Sequence, residues 1–354
     1  GTSALHAALF AVGVGPGDEV IVQSATHPYS CVPIIGCGAV PVFADVDPNT
    51  LTIDPADIEL RITPRTKAVV VVHWDGMPVD MDAILAVARR HDLKVVEDNC
   101  VSQGTLHRGR MCGTLGDAAG ISFQVGKLTS AGEGGMFITS NPEYYQRAAI
   151  LGHYERLADL PDEQYRAVAS FCFGEKYRIA TISAAIGVVQ MSHWDERFAV
   201  RRRNAERLGQ AIAEIGGFSP PEVPDYVESP FHRGWVRFDP EELGGIDRAT
   251  LVEALQAEGV RVGAAGTLRP LHQHPVFAGN AAGTGDLLWD VVRSHAPEER
   301  PQYGPGTLPV TEDPDVPHNT ITLPALTRPA DDLIEQYAQA FRKVAAQAGA
   351  LAQR

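Results

Sequence analysis

The 354-residue chain has no CxxC pair: Cys31, Cys37, Cys100, Cys112 and Cys172 stand apart, and their number is odd. That pattern is not a disulfide framework; it reads as thiols of a reducing cytosol, so a cytoplasmic location is expected. No apolar run approaches the roughly 18 residues that a membrane span requires, and no membrane association is expected. No signal peptide opens the chain, but Gly1 falls directly inside a motif, so N-terminal sequence is expected to be missing. Basic residues are scarce, 30 Lys and Arg against 44 Asp and Glu, for a net charge of −14. Nucleic-acid affinity rests on clustered Lys and Arg, so no nucleic-acid partner is expected, and an anionic substrate would need a local cationic pocket. Repeats and low-complexity tracts are absent as well.

What is present alternates. The turn Gly15-Pro16-Gly17-Asp18 leads into a short apolar run, Val20–Gln23; Val40–Ala44 is another, and Ala68–His73 is a β-branched run of the kind buried on both faces. Asp80–His91 sets Met81, Ile84, Leu85 and Ala88 at helical spacing behind Asp80 as N-cap. Strands return at Lys94–Asp98, Ala118–Phe123 and Met136–Thr139. This alternation predicts an α/β fold with a mostly parallel sheet covered by helices. Ligands on such sheets bind beyond the carboxyl ends of strands, where Asp98, Ser122 and Lys127 fall.

From about Glu175 the pattern changes. Helices are predicted over Ile182–Met191, Asp195–Ile215 (with Arg201, Arg202 and Arg203 on an exposed region), Arg248–Glu258 and Asp331–Ala348, the last stopped by Gly349. Ser219–Pro230 reads as a Pro-rich linker, Trp235–Phe238 and Val260–Val262 as strands, and 278–317 as an irregular region. The chain thus divides into a large domain over 1–215 and a smaller α+β domain over 216–354.

The segment Ser122-Phe123-Gln124-Val125-Gly126-Lys127-Leu128-Thr129-Ser130-Ala131-Gly132-Glu133-Gly134-Gly135 sets a lysine in a short loop between two strands. Its glycines allow a tight return and close backbone approach to a ligand. A partly desolvated amine at a strand end has its pKa lowered enough to act as nucleophile and base. On spacing alone, Lys127 reads equally as a solvated lysine beside a hairpin turn. Asp98, closing Val95-Val96-Glu97-Asp98, is either a carboxylate that keeps a pyridine nitrogen protonated or a helix cap. Gly1-Thr2-Ser3-Ala4-Leu5-His6 is either a phosphate cradle at a helix start or a plain N-cap. Gly13-Val14-Gly15-Pro16-Gly17 precedes a strand, whereas a dinucleotide loop follows one. His272 and His274 lack a third ligand at metal-like spacing, so no metal site is expected and a loop or substrate contact is the better reading.

The ordered set Gly1-Thr2-Ser3-Ala4-Leu5, Gly38-Ala39-Val40-Pro41-Val42-Phe43-Ala44-Asp45-Val46-Asp47, Ile62-Thr63-Pro64-Arg65-Thr66-Lys67-Ala68, Val72-His73-Trp74-Asp75-Gly76, Glu97-Asp98, Ser122-Phe123 with Lys127, Gly132-Glu133-Gly134-Gly135, Lys176-Tyr177-Arg178 and Pro270-Leu271-His272 runs along nearly the whole chain. It resembles the fold-type-I sugar and cyclitol aminotransferases of the DegT–DnrJ–StrS group, whose cofactor is pyridoxal 5'-phosphate. The resemblance implies a cofactor-binding large domain with a mostly parallel, seven-stranded-type sheet between helices. It makes Lys127 the lysine that holds the cofactor as a Schiff base and shuttles the proton, and Asp98 the partner of the pyridine nitrogen. Thr2, Ser3 and Ser122 match the phosphate ligands. Arg178 falls where a neighbouring subunit completes the phosphate site, implying a homodimer with shared active sites.

Two positions depart from the family pattern. After Thr26 an aromatic usually stacks on the cofactor ring; His27 stands there and is the stacking candidate. Three residues after Asp98 the family has Gln or His near the cofactor's phenolic oxygen; here stands Val101, and Gln103 is the candidate for that hydrogen bond. Phe123-Gln124 before Gly126-Lys127-Leu128-Thr129 is most similar to enzymes acting on cyclitol ketones such as scyllo-inosose, with aminohydroxybenzoate synthases also close. His153, Tyr154, Arg156, Arg269 and His272 are expected to line the acceptor pocket. The implied reaction moves an amino group from L-glutamine or L-glutamate to a keto cyclitol or related small keto acceptor in antibiotic-type secondary metabolism. Alternatives are a nucleotide-diphosphate keto sugar as acceptor, or a non-transaminating enzyme or cofactor-binding regulator of the same fold. A dehydratase variant carries histidine in place of the lysine, and Lys127 argues against it.

Overall fold

The computed structural model describes residues 1–168, 175–264, 270–277, 301–313 and 319–353, together with Leu288, Asp290, Val292 and Arg293. Its first half contains α1 (Thr2–Ala11), β1 (Glu19–Gln23), α2 (Val32–Gly36), β2 (Val40–Ala44), α3 (Pro55–Arg61), β3 (Thr66–Val72), α4 (Met81–Arg90), β4 (Lys94–Asp98), β5 (Leu106–His107), β6 (Arg110–Met111), β7 (Ala118–Ser122), β8 (Gly135–Ile138) and α5 (Pro142–Gly152). One sheet runs in the order β2-β1-β3-β4-β7-β8, and only β8 is antiparallel to its neighbour. In β3, Val70 packs in one core with Leu5 and Leu9 of α1, while Val69 and Val71 pack in another with Ile84 and Val87 of α4. Both faces of the strand are therefore dry, as its β-branched run requires. Burying each such side chain contributes roughly 1.5–3 kcal/mol. Asp80 caps α4 through Ala83 N at 3.1 Å, worth about 1 kcal/mol, so core packing sets the fold and caps set where helices begin.

Among the described residues this sheet has six strands, where seven were expected. Contacts from 303–311 close its β2 edge. Pro41 brings no N–H to a further strand, Tyr303 Oη donates to Pro41 O at 2.8 Å, and Asp45 accepts from Val310 N at 2.8 Å and Thr311 N at 2.7 Å. Tyr303 and the short helix Pro309–Glu312 cover that edge.

The second half contains α6 (Glu163–Arg166), α7 (Thr181–Met191), α8 (Trp194–Ala213), β9 (Phe218–Ser219), β10 (Val227–Glu228), β11 (Gly234–Phe238), α9 (Arg248–Ala257), β12 (Gly263–Ala264), β13 (Thr320–Leu323) and a closing helix, Asp331–Leu351. An antiparallel sheet, β12-β13-β11-β9, shares a core with Leu208 and Ile212 of α8, Leu255 of α9 and Phe341 of the closing helix. Four expectations are corrected. The Ser219–Pro230 segment is not a free linker, because β10 pairs with β5 and ties it to the first half. Val260–Val262 is not a strand; β12 starts at Gly263. Gly349 does not stop the closing helix, which runs through it to Leu351: a Cβ on Gly244 would come within 2.7 Å of Gly349 Cα, so two backbones meet there. Arg201 is buried, while Arg202 and Arg203 face outward to Glu206 and Asp331.

Candidate active site

Alternation along β4 sends Glu97 and Asp98 to opposite faces. Glu97 accepts from Gly113 N and Gly116 N at 2.6 Å, from Leu115 N at 2.7 Å, and meets His73 Nε2 at 2.9 Å. Burial pushes its carboxyl up, but His73 and the N–H groups of Gly116 and Gly113 outweigh that and hold it below the usual range. Asp98 faces the carboxyl edge of the sheet and is 4% exposed. Its Oδ2 accepts from Ser30 Oγ at 2.7 Å and its Oδ1 from Cys100 N at 3.0 Å. Each carboxylate oxygen has a second lone pair, so Asp98 can accept one more bond from a ring N–H.

Lys127 lies in the turn from β7 to β8, where its N–H donates to Gln124 O at 3.0 Å. Buried Gln103 bolts this turn in place: its Nε2 donates to Ser122 O at 2.5 Å and its Oε1 accepts from Thr129 N at 2.8 Å. Burial pushes the Lys127 amine below its ordinary value; the carboxylates of Asp98 and Asp75 pull it back and Arg233 lowers it further. Burial and the Asp98 charge hold the Cys100 thiol well above its usual range, so the thiol stays protonated.

Sequence reasoning missed the other side of the site. Asp75, in left-handed backbone at φ 48°, is buried and accepts from Arg233 Nε at 3.2 Å, while its carbonyl accepts from His232 N at 2.8 Å. A Cβ on Gly76 would come within 2.6 Å of Ser229 Oγ and 2.8 Å of Phe231 Cα, so a glycine there lets segment 229–233 close on the site. Burial, with Lys127, Arg233 and Arg201 nearby, pushes the His232 imidazole down to about 3, and it is neutral. A cleft of about 580 Å³ opens beside Lys127 and is also lined by Arg197, Arg201 and Arg328, the local cationic pocket that an acidic chain needs for an anionic substrate. No side chain caps the start of α1, so its first N–H groups are available to an anion. An amine of lowered pKa, a carboxylate with a spare lone pair and an uncapped helix start form a donor set that fits pyridoxal 5'-phosphate.

The model of the DegT/DnrJ/EryC1/StrS aminotransferase family matches residues 1–289. The chain belongs to that family. An L-glutamine:2-deoxy-scyllo-inosose aminotransferase of Streptoalloteichus tenebrarius is 38% identical over 283 residues, 78% of this chain and 66% of the relative. GDP-perosamine synthase of Caulobacter vibrioides is 43% identical over 216 residues, 61% of this chain and 57% of the relative. Among solved structures, 3-amino-5-hydroxybenzoic acid synthase superposes with a TM-score of 0.74 at 26% identity, covering 98% of this chain and 85% of that one. The protein is a pyridoxal-phosphate-dependent aminotransferase with the fold-type-I architecture.

The aminotransferase brings some of the expected residues together and leaves others apart. Thr2 and Ser3 open α1, and Ser122 Oγ accepts from Gln124 N at 3.3 Å beside it. His27 is exposed, with its ring 4.8 Å from that of Tyr29; burial and Lys127 lower its imidazole and Asp98 raises it, so it senses both site charges. Arg178 is exposed and paired with Glu155. His153 Nδ1 lies 3.8 Å from the same carboxylate, and Arg156 Nη1 donates to Tyr145 Oη at 3.3 Å. The contacts of His153 and Arg156 thus go to Glu155 and Tyr145 and not to the Lys127 cluster. Arg269 and the Tyr154 side chain lie outside the described residues. His272 is corrected from a substrate contact to an internal strut. Its ring is buried, with Nδ1 2.6 Å from Ser24 Oγ and Nε2 3.0 Å from Glu312, so neither nitrogen is free for a ligand.

Proposed function

We propose that this aminotransferase moves the amino group of L-glutamine or L-glutamate onto a keto cyclitol or a related small keto acceptor. One observation carries the site assignment: a desolvated amine, Lys127, and a buried carboxylate, Asp98, share one edge of the sheet. Bound pyridoxal 5'-phosphate supplies a protonated pyridine that takes up electron density from the substrate carbon. Asp98 keeps that nitrogen protonated, and Ser30 and Cys100 N fix the carboxylate's direction. Lys127 holds the cofactor and moves the proton at the substrate carbon. Thr2, Ser3, Ser122 and the N–H groups of α1 hold the phosphate, and His27 covers the ring. Gln103, whose amide is committed to the turn, positions Lys127.

Residues 1–215 would carry the cofactor and 216–354 the smaller domain. A homodimer, with Arg178 reaching the phosphate of a second copy, is supported by α7: its sequence is apolar, yet none of its residues is buried, and Ile182 and Val188 are 78% and 72% exposed. The 38%-identical scyllo-inosose relative supports the acceptor class.

Lys127→Ala is expected to abolish the yellow absorbance of the bound cofactor and to cut turnover by about 10²–10⁴ or more. Survival of both would overturn the assignment. The alternative acceptor, a nucleotide-diphosphate keto sugar, is favoured by the 43% identity to GDP-perosamine synthase. An acceptor panel with glutamine as donor separates the two: activity confined to nucleotide sugars reverses the order. A cofactor-binding regulator would keep its colour when glutamine is added.

A further inference from the structure

We infer that Arg201 is the anchor for the carboxylate of the amino donor; the inference rests on the donor reading above. Three consecutive arginines on α8 meet different fates. Arg202 pairs with Glu206 and Glu228, and Arg203 with Asp331. Arg201 is the one taken inside, 4% exposed, and no acid pairs with it among the described residues. Its Nη2 donates to Phe231 O at 2.5 Å and His232 O at 2.8 Å, but carbonyls carry no net charge to balance a guanidinium. Burial alone pulls its pKa down to about 10, with no neighbouring charge offsetting it. A buried cation without a counter-charge is costly, and a bound anion removes the cost.

Position says which anion. Arg201 and Lys127 line the same two cavities, and the His232 imidazole, which lines one of them, feels both charges. An α-amino acid carries its amine and carboxylate on one carbon, so an amine directed to Lys127 keeps its carboxylate within the same cleft. The other arginines there are weaker candidates. Arg197 donates to Gln190, and Arg328 is exposed, so neither holds a fully desolvated charge. The planar fork of arginine suits a carboxylate in a way that lysine does not.

The test compares glutamine with 4-aminobutanamide, the same donor without its α-carboxylate, by the rate at which each bleaches the holoenzyme. Arg201→Gln is expected to slow glutamine about 10- to 100-fold while changing 4-aminobutanamide less than about 3-fold, with Arg201→Lys intermediate. Equal losses on both donors would mark Arg201 as a strut for the 231–232 carbonyls and overturn the inference. Calorimetry with glutarate, which binds without reacting, gives a second readout: Arg201→Gln weakens it about 10-fold, and Arg203→Gln, which removes a charge from the same helix outside the cleft, does not. Equal glutarate affinity in Arg201→Gln and the unmodified enzyme overturns the inference too. If neither donor bleaches the unmodified enzyme, the donor reading fails on its own, and glutarate still decides for or against Arg201.

Discussion

Ser30 shows what single side chains do at this site. Its hydroxyl donates to Asp98 Oδ2 at 2.7 Å inside the protein, leaving the carboxylate's remaining lone pairs for a ring nitrogen. A hydrogen bond to a charged group is worth about 1.5–3 kcal/mol. Ser30→Ala should therefore weaken cofactor affinity about 10-fold or more, read by titrating apoenzyme with pyridoxal phosphate; unchanged affinity would mean that Asp98 is held by Cys100 N alone. Asp98 could be placed from the sequence because it ends the apolar strand β4, whose alternation directs its side chain; Lys127 follows β7, which has no β-branched run, and was singled out by the resemblance and not by spacing. Ser30, Asp75, His232 and Arg233 were not legible, because they reach the site by tertiary closure: the turn at Gly76 and the pairing of β10 with β5 bring 229–233 across. Arg201 and His272 were misread for a related reason. Charge and loop position suggested exposure, and whatever packs over a residue decides its burial.

The position of α1 depends on a missing side chain in the strand beneath it. A Cβ on Gly120 of β7 would come within 2.8 Å of Leu5 Cδ2 and 3.0 Å of Leu5 N, the backbone of the helix whose start faces the site. Gly120→Ala should cost about 1–3 kcal/mol by overpacking, lower the melting temperature, and reduce cofactor affinity as α1 is displaced. Gly15→Ala is the control: nothing lies within 4 Å of its Cβ, and its stability should stay within about 0.5 kcal/mol. A Gly120→Ala variant as stable as this control would show that the contact relaxes without cost. Elements whose burial follows a local period, such as β3 and α4, were read to within two residues. Those set by partners were not: the β2 edge closed by Tyr303, the strand β10, and the passage of the closing helix through Gly349 all depend on distant contacts.

At the scale of the whole molecule, the exposed apolar residues of α7 and the buried imidazoles each make a demand. If α7 meets a second copy, Ile182→Asp should halve the mass seen by light scattering and cut activity, since Arg178 would no longer reach a shared site; a dimer of unchanged mass would exclude this face. The imidazoles set the acid limit. Burial, then Lys127, Arg233 and Arg201, hold His232 at about 3, and burial lowers His272 despite its bond to Glu312. An unfolded chain takes up a proton at each near pH 6.5, while the folded chain does not until lower pH. Depressed histidines therefore contribute stability that is present above about pH 6.5 and is lost as pH falls toward their folded values, at up to about 1.4 kcal/mol per pH unit for each. Falling pH also neutralises acids in a chain of net charge −14, which works in the opposite direction, so the total slope alone is ambiguous. His232→Asn isolates one term, because asparagine does not titrate. Melting curves from pH 7 to 5 should fall less steeply for the variant than for the unmodified protein, by up to that slope. Parallel curves would mean that His232 takes up its proton in the folded state, and that Lys127, Arg233 and Arg201 do not act on it together.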